Sequence, residues 1–172
     1  MAIWISSLAL APDVVEKVRP SRVVSLLSPY DTFPTFAGLD ARYHLRVGIH
    51  DITEDIGDWR APGTEDAERL IRFVETWDRA DPMLIHCWAG ISRSTASAFI
   101  TACIHNPRTD ESEIAEALRA ASRTAHPNRR LVSHADDILG RNGRMSKAID
   151  TMGRGQIAEE AQPFFIPSAF GK

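Results

Sequence analysis

The chain has 172 residues, of which 44% are hydrophobic and 25% charged, and a formal net charge of −3. This length fits one domain, and this composition is ordinary for a globular protein. The mild negative charge argues against a general surface for nucleic acid or anionic membranes, and two cysteines, Cys87 and Cys103, do not make a disulfide framework.

The first residues do not have the pattern of a targeting segment. The run Met1 to Ile5 is apolar but short, lacks a basic leading region and is followed by Pro12-Asp13, so it predicts a strand rather than a signal peptide. No apolar run reaches the roughly 18 residues of a membrane-spanning helix. We therefore expect no membrane association and a cytoplasmic location, where a reactive thiol stays reduced.

Apolar periodicity predicts alternating strands and helices in the first half of the chain. Strands are expected over residues 3–8, 22–27 and 43–49, with a short helix over 13–18. Thr64 is the expected N-cap of the next helix, because Glu65 and Asp66 favour the positive end of a helix dipole. The apolar residues of that helix recur at helical spacing and predict a core face.

The second half begins with a predicted central strand over residues 83–85 and an apolar, buried helix over 95–104, in which Cys103 is a core residue. Asp110 and Glu113 predict a capping box before a further helix, and a last helix is expected over 131–139. Strands that alternate with helices predict an α/β fold with a central, mostly parallel sheet flanked by helices.

The pattern fades after Arg141, where several glycines interrupt it. We therefore predict one domain over residues 1–140 and a C-terminal extension over 141–172 that packs on it. Its apolar patch, which includes Phe164 and Phe165, is expected to pack on the domain, with docking of a partner or a second copy as the alternative.

The most informative stretch is His86-Cys-Trp-Ala-Gly-Ile-Ser-Arg-Ser94. It lies between the predicted central strand and the buried helix, and a loop at a helix N-terminus presents backbone N–H groups to an anion. A helix N-terminus, free N–H groups and a nearby arginine also favour the thiolate form of a cysteine. The residue types therefore predict a phosphate-binding loop with Cys87 as its nucleophile.

Each further residue of the loop has an expected task. Arg93 offers a planar fork for two phosphoryl oxygens, and Gly90 allows a sharp turn. The hydroxyl of Ser94 is placed to donate a hydrogen bond to the sulfur of Cys87 as it leaves phosphorus. His86 is expected to brace the loop through its carbonyls. The expected phosphate ligands are the loop residues Trp88, Ala89, Gly90, Ile91, Ser92 and Arg93.

This stretch resembles the signature loop of the cysteine-dependent protein tyrosine phosphatase superfamily, and its details are most similar to the dual-specificity branch. The resemblance covers residues 3–140 but is specific only at the loop. It implies a protein tyrosine phosphatase-like fold and a phosphocysteine intermediate, with no metal or organic cofactor. The segment Pro127-Asn128 resembles a loop beside the active site of these enzymes, which gives Asn128 a bracing role.

The resemblance also implies a general acid on a loop upstream of the signature. The candidates are Asp51, Asp55 and Asp58, and the first two lie 36 and 32 residues before Cys87. Asp51 is preferred because it follows closely on a predicted strand, which fixes it near the carboxyl end of the sheet. Asp55 is the main alternative, and Asp58 or none of the three remains open.

The expected reaction is hydrolysis of phosphotyrosine in proteins, with phosphoserine and phosphothreonine as further candidate substrates. Lipid phosphatases of the superfamily tend to carry lysines in the loop, whereas Trp88, Ala89 and Ile91 are neutral. The alternatives are a phosphate-recognition module without turnover and a phosphatase for a non-protein phosphomonoester. The sequence does not favour a rhodanese-like sulfurtransferase, because the histidine before the cysteine and the Arg-Ser pair after it fit that class poorly.

Overall fold

The computed structural model describes residues 1–171. Its elements are β1 (Ala2–Ser7), α1 (Ala11–Val18), β2 (Arg22–Leu27), a 3-10 turn (Ala41–Tyr43), β3 (His44–Gly48), α2 (Thr64–Glu75), β4 (Met83–Cys87), α3 (Arg93–His105), α4 (Glu111–Ala121), α5 (Arg129–Ile138), α6 (Arg144–Met152) and β5 (Phe164–Pro167). The sheet order is β3-β2-β4-β1-β5.

The predicted α/β fold with a central, mostly parallel sheet is confirmed. The first four strands are parallel, and β5 pairs antiparallel with β1. Side chains alternate between the two faces of the sheet. Ile5 and Ile85 lie in the large core under helices α2 to α6, whereas Val23 and Leu84 pack in a smaller core under α1.

Several element boundaries differ from those predicted. Gly63, not Thr64, is the N-cap of α2, since the carboxylate of Asp66 accepts from the amide of Gly63 while the Thr64 hydroxyl contacts His134. Pro12 lies in the first turn of α1, where its missing N–H has no cost. Asp110 caps α4 as predicted, but its carboxylate accepts from Ser112, so no capping box with Glu113 forms.

Residues after Arg141 are more regular than their glycines suggest. Helix α6 packs against α4 and α5, and β5 joins the edge of the sheet. Phe165 packs on Trp4, with their ring centroids 5.0 Å apart, and remains about half exposed. Cys103 is fully buried in the large core as predicted, and this burial raises the pKa of its thiol, which keeps it protonated.

Candidate active site

The candidate site lies at the carboxyl end of the central strand. β4 runs between β2 and β1 and ends at Cys87, and α3 begins at Arg93. The five residues between them form a loop at the N-terminus of an almost fully buried helix. Open α/β sheets bind ligands at this edge, and helix N-termini favour anions there. We refer to residues 88–93 as the phosphate loop.

Cys87 and Ser94 are in direct contact. The sulfur of Cys87 lies 3.1 Å from the hydroxyl oxygen of Ser94, and both side chains are buried. Ser94 belongs to the first turn of α3, so the helix holds its hydroxyl at the sulfur. A hydroxyl that donates to sulfur stabilises negative charge on it.

The guanidinium of Arg93 is buried and only partly satisfied. One terminal nitrogen donates to the carbonyl of Ile49 at 2.8 Å, which fixes the side chain against the end of β3. Its Nε–H is buried and has no hydrogen-bond partner within residues 1–171. Buried donors without a partner are rare in proteins, so this N–H is a candidate donor to a ligand oxygen.

Four backbone contacts from outside fix the shape of the phosphate loop. The carbonyls of Trp88, Ala89, Ile91 and Ser92 accept from the amides of Leu8, Ala161, His126 and Asn128, at 3.1, 2.9, 2.9 and 3.2 Å. A trans peptide points its N–H opposite to its carbonyl. Each outward bond therefore directs the next N–H of the loop inward, where an anion would lie.

Gly90 is required by space as well as by conformation. Its φ is +74°, and a Cβ placed there would lie 2.8 Å from backbone atoms of Ser6 and Ser7. The loop thus packs directly on the end of β1, and any side chain at this position would push the two segments apart.

Among the three candidate acids, only Asp51 contacts the phosphate loop. Its carboxylate accepts from the hydroxyl of Ser92 at 2.7 Å and from the side-chain amide of Asn128 at 2.9 Å. Asp55 is 83% exposed and pairs with Arg130 at 3.0 Å. Asp58 is exposed on the same loop.

His86 braces the strand, but mainly through a partner that the sequence did not indicate. Its Nε2 lies 2.6 Å from the hydroxyl of Ser25, which in turn lies 2.7 Å from Nε2 of His44. The expected contact with a carbonyl is limited to Cys87 itself, at 3.4 Å. Burial lowers the pKa of both histidines to about 4, so both rings stay neutral near pH 7.

The C-terminal region supplies a contact that no sequence motif signals. We call residues 153–163 the strap. The strap bonds to the phosphate loop through the amide of Ala161 and to Arg123 through the amide of Gln156 at 2.9 Å. A Cβ at Gly155 would lie 2.5 Å from the carbonyl oxygen of Thr124, so the strap lies tightly against the segment before α5. Backbone groups make these contacts, so side-chain patterns do not reveal them.

The surroundings of the loop differ on its two sides. On one side, the side chain of Trp88 is 60% exposed beside the phosphate loop and does not pack in the core. On the other side, a cavity of about 480 Å³ is lined by residues of the segments 51–56 and 126–129. Its wall includes Asp51, Ile56 and two residues of the phosphate loop, Ile91 and Ser92.

The family model of the protein-tyrosine phosphatases matches residues 55–130, which include the whole phosphate loop. The fold is similar to the crystal structure of DUSP15, with a TM-score of 0.62 and 17% identity over 91% of this chain and 92% of that one. It is also similar to human DUSP28, with a TM-score of 0.60 and 18% identity over 81% and 94%. The predicted resemblance to the protein tyrosine phosphatases is confirmed by the family model at the phosphate loop, and the fold is similar to that of DUSP15 and DUSP28.

Another structure with this superfamily fold is that of PTPMT1 in complex with PI(5)P, with a TM-score of 0.55 and 16% identity over 80% of this chain and 90% of that one. No curated protein sequence matches the chain. Within residues 1–171, no helix is both long and apolar enough to cross a membrane.

Proposed function

We propose that the protein is a cysteine-dependent phosphatase that hydrolyses phosphotyrosine in proteins, with phosphoserine and phosphothreonine as further substrates. The observation that carries the proposal is the buried Nε–H of Arg93, which has no partner within residues 1–171, in the loop that follows the buried thiol of Cys87. The loop N–H groups and this donor together suit a phosphoryl group with its oxygens spread around phosphorus.

In the first step, the thiolate of Cys87 attacks phosphorus and the bond from phosphorus to the ester oxygen breaks. Arg93 and the inward N–H groups hold the three remaining oxygens, whose charge distribution changes most in the transition state. Asp51 gives its proton to the departing oxygen, which leaves as an alcohol or phenol. The phosphoryl group is then bonded to sulfur.

In the second step, water attacks phosphorus and the phosphorus–sulfur bond breaks. Asp51, now a carboxylate, takes a proton from the water, which restores its acid form. The electron pair returns to the sulfur of Cys87, where the hydroxyl of Ser94 at 3.1 Å stabilises the thiolate. The products are inorganic phosphate and the free enzyme, with no metal or cofactor taking part.

Phosphotyrosine is supported by the surroundings of the loop. The cavity beside Asp51 is lined by Ile52, Ile56, Ile91 and Pro127, which suit the ring of an aryl phosphate. The loop contains no lysine, so it lacks the extra positive charge that a polyphosphorylated ligand would favour.

A non-protein phosphomonoester is the second candidate substrate. Its support is the similar fold of PTPMT1 in complex with PI(5)P. A phosphate-recognition module without turnover is disfavoured, because Asp51 stands at hydrogen-bonding distance from the loop residue Ser92.

Turnover of p-nitrophenyl phosphate in the presence of a chelator tests the proposal. We expect turnover by the wild-type chain and none by Cys87→Ser, which nearly preserves the volume but replaces the thiolate with a hydroxyl that stays protonated. The Cys103→Ser chain serves as the control, since that thiol is buried away from the loop. More than about a tenth of the rate in Cys87→Ser would exclude covalent catalysis by this residue. A panel of phosphopeptides, nucleotides and inositol phosphates then ranks the substrate classes.

A further inference from the structure

Two cavities are lined by neighbouring parts of β1 to α1 on one side and of the strap on the other. We refer to the two cavities together as the groove. The first, of about 270 Å³, is lined by Leu8, Ala9, Trp88, Glu159 and Glu160. The second, of about 400 Å³, is lined by Trp4, Leu10, Asp13, Val14, Lys17, Val18, Gln162 and Pro163.

The first cavity combines an apolar floor with a negative rim. Leu8, Ala9 and the half-exposed indole of Trp88 form the floor. Glu159 and Glu160 are exposed, and neither forms an ion pair with another residue in the described range 1–171. An apolar stem that ends in a cation fits such a cavity, because the stem covers the floor while the charge faces the carboxylates and the indole.

The second cavity has a different character. Trp4, Leu10 and Val14 give it an apolar wall, and its two charged residues, Asp13 and Lys17, have opposite signs. This part of the groove therefore suits an apolar side chain, and the preference for positive charge is confined to the end beside the phosphate loop.

Both walls of the groove are attached to the phosphate loop itself. Leu8 donates its amide to the carbonyl of Trp88, and Ala161 donates to the carbonyl of Ala89. The side chain of Trp88, the residue after Cys87, lines the first cavity. A chain whose phosphorylated residue lies in the loop therefore brings a neighbouring residue to Glu159 and Glu160.

We propose that this groove binds the segment of a phosphoprotein that flanks the phosphorylated residue, with an arginine or lysine side chain in the first cavity. The proposal rests on the proposed function and names the substrate class of that site. The charge complementarity between the carboxylate rim and a basic residue decides the occupant, since an acidic flanking residue would be repelled.

The experiment uses phosphotyrosine peptides of one neutral sequence in which a single arginine, or a single glutamate, is moved through each flanking position. We expect kcat/KM of the wild-type chain to be about 3- to 10-fold higher for arginine than for the neutral peptide at one position or two adjacent ones. The Glu159→Gln/Glu160→Gln chain should reduce this ratio to less than about 2. The Glu113→Gln/Glu116→Gln chain, altered at exposed carboxylates of α4, should retain it.

The outcomes separate this proposal from the proposed function. Equal rates for arginine, neutral and glutamate peptides by an active wild-type chain would contradict peptide binding in the groove but not the phosphatase activity. A preference for arginine peptides that persists in Glu159→Gln/Glu160→Gln would have the same meaning. If the wild-type chain turns over neither peptides nor p-nitrophenyl phosphate, the proposed function fails, and calorimetry on Cys87→Ser tests the groove alone. In that calorimetry, arginine peptides that bind no more tightly than glutamate peptides at low salt would contradict the groove proposal.

Discussion

The side-chain amide of Asn128 donates to the carboxylate of Asp51 at 2.9 Å, although the two residues are 77 positions apart in the chain. The same amide also donates to the carbonyl of Ile52, and the side-chain oxygen of Asn128 caps α5 by accepting from Leu131. The start of a helix therefore holds the loop that carries the candidate acid, and it does so beside Ser92 of the phosphate loop.

Asp51→Asn should lower turnover most strongly for aryl phosphates with poor leaving groups. A leaving oxygen of low pKa departs without a proton, whereas one of high pKa requires the acid, whose contribution is roughly 10²–10⁴-fold. The measurement is kcat/KM for a series of aryl phosphates, plotted against the pKa of the leaving phenol. Asp55→Asn is the matched control, because its carboxylate pairs with Arg130 away from the loop.

A steeper slope in Asp55→Asn and an unchanged slope in Asp51→Asn would transfer the role of the acid to Asp55. Unchanged slopes in both chains would place the proton donor elsewhere.

Arg93→Lys should lose at least about 10²-fold in kcat, the usual effect of losing one donor to the transition-state oxygens. A lysine keeps the charge but cannot bond to the carbonyl of Ile49 and to a phosphoryl oxygen through one planar fork. The measurement is kcat with p-nitrophenyl phosphate, together with inhibition by vanadate. Arg108→Lys, on the exposed segment between α3 and α4, is the control. A near-normal kcat in Arg93→Lys would contradict the assignment.

Gly90→Ala should destabilise the fold more than Gly38→Ala. Both glycines have similar φ values, +74° and +81°, so the backbone strain of about 1–2 kcal/mol is shared. Only at Gly90 does the new Cβ meet backbone atoms, at 2.8 Å from Ser6 and Ser7, which adds about 1–3 kcal/mol. Urea unfolding of both chains gives the difference directly. Equal losses would show that the loop moves away from β1 at little cost.

The free energy of unfolding should fall as pH is lowered from 6.5 to 4. In the folded chain, burial lowers the pKa of His44 and His86 to about 4, while the unfolded chain protonates near 6.5. The unfolded state therefore binds more protons between pH 6.5 and 4. For one histidine, this difference lowers the free energy of unfolding by roughly 2–3 kcal/mol over that window, with little further change at lower pH. His44→Gln keeps a partner for Ser25 but cannot titrate, so its unfolding free energy should depend less on pH. Identical pH profiles would contradict this origin.

The sequence predicts best where one segment carries its own signal. The loop from Cys87 to Ser94 combines residue types, spacing and a strand-to-helix change, and the structure places the sulfur, the Ser94 hydroxyl and the Arg93 guanidinium at one end of β4. Strand β2 has its predicted bounds, because the turn-forming pairs Pro20-Ser21 and Ser28-Pro29 flank a mostly apolar segment.

Prediction fails where the signal lies in another part of the chain. Gly143 and Gly153 look like interruptions, yet they lie at the two ends of α6, and the carboxylate of Asp136 in α5 accepts from Gly143 and Ser146 at its start. A cap supplied by another helix leaves no local pattern. The contact of Ala161 with Ala89 joins two backbone groups and is equally invisible in the sequence.

Because β5 pairs with β1, β5 and not β1 is the edge strand at this end of the sheet. Without it, the six residues of β1 would leave a row of free amides and carbonyls against which another polypeptide could add a strand. β5 has only four residues. Pro163 directly precedes it and Pro167 is its last residue, and neither proline has an amide hydrogen to donate. We therefore expect the C-terminal segment to hinder edge-to-edge aggregation, so that a chain shortened before Phe164 forms β-rich aggregates at concentrations where the full chain forms none.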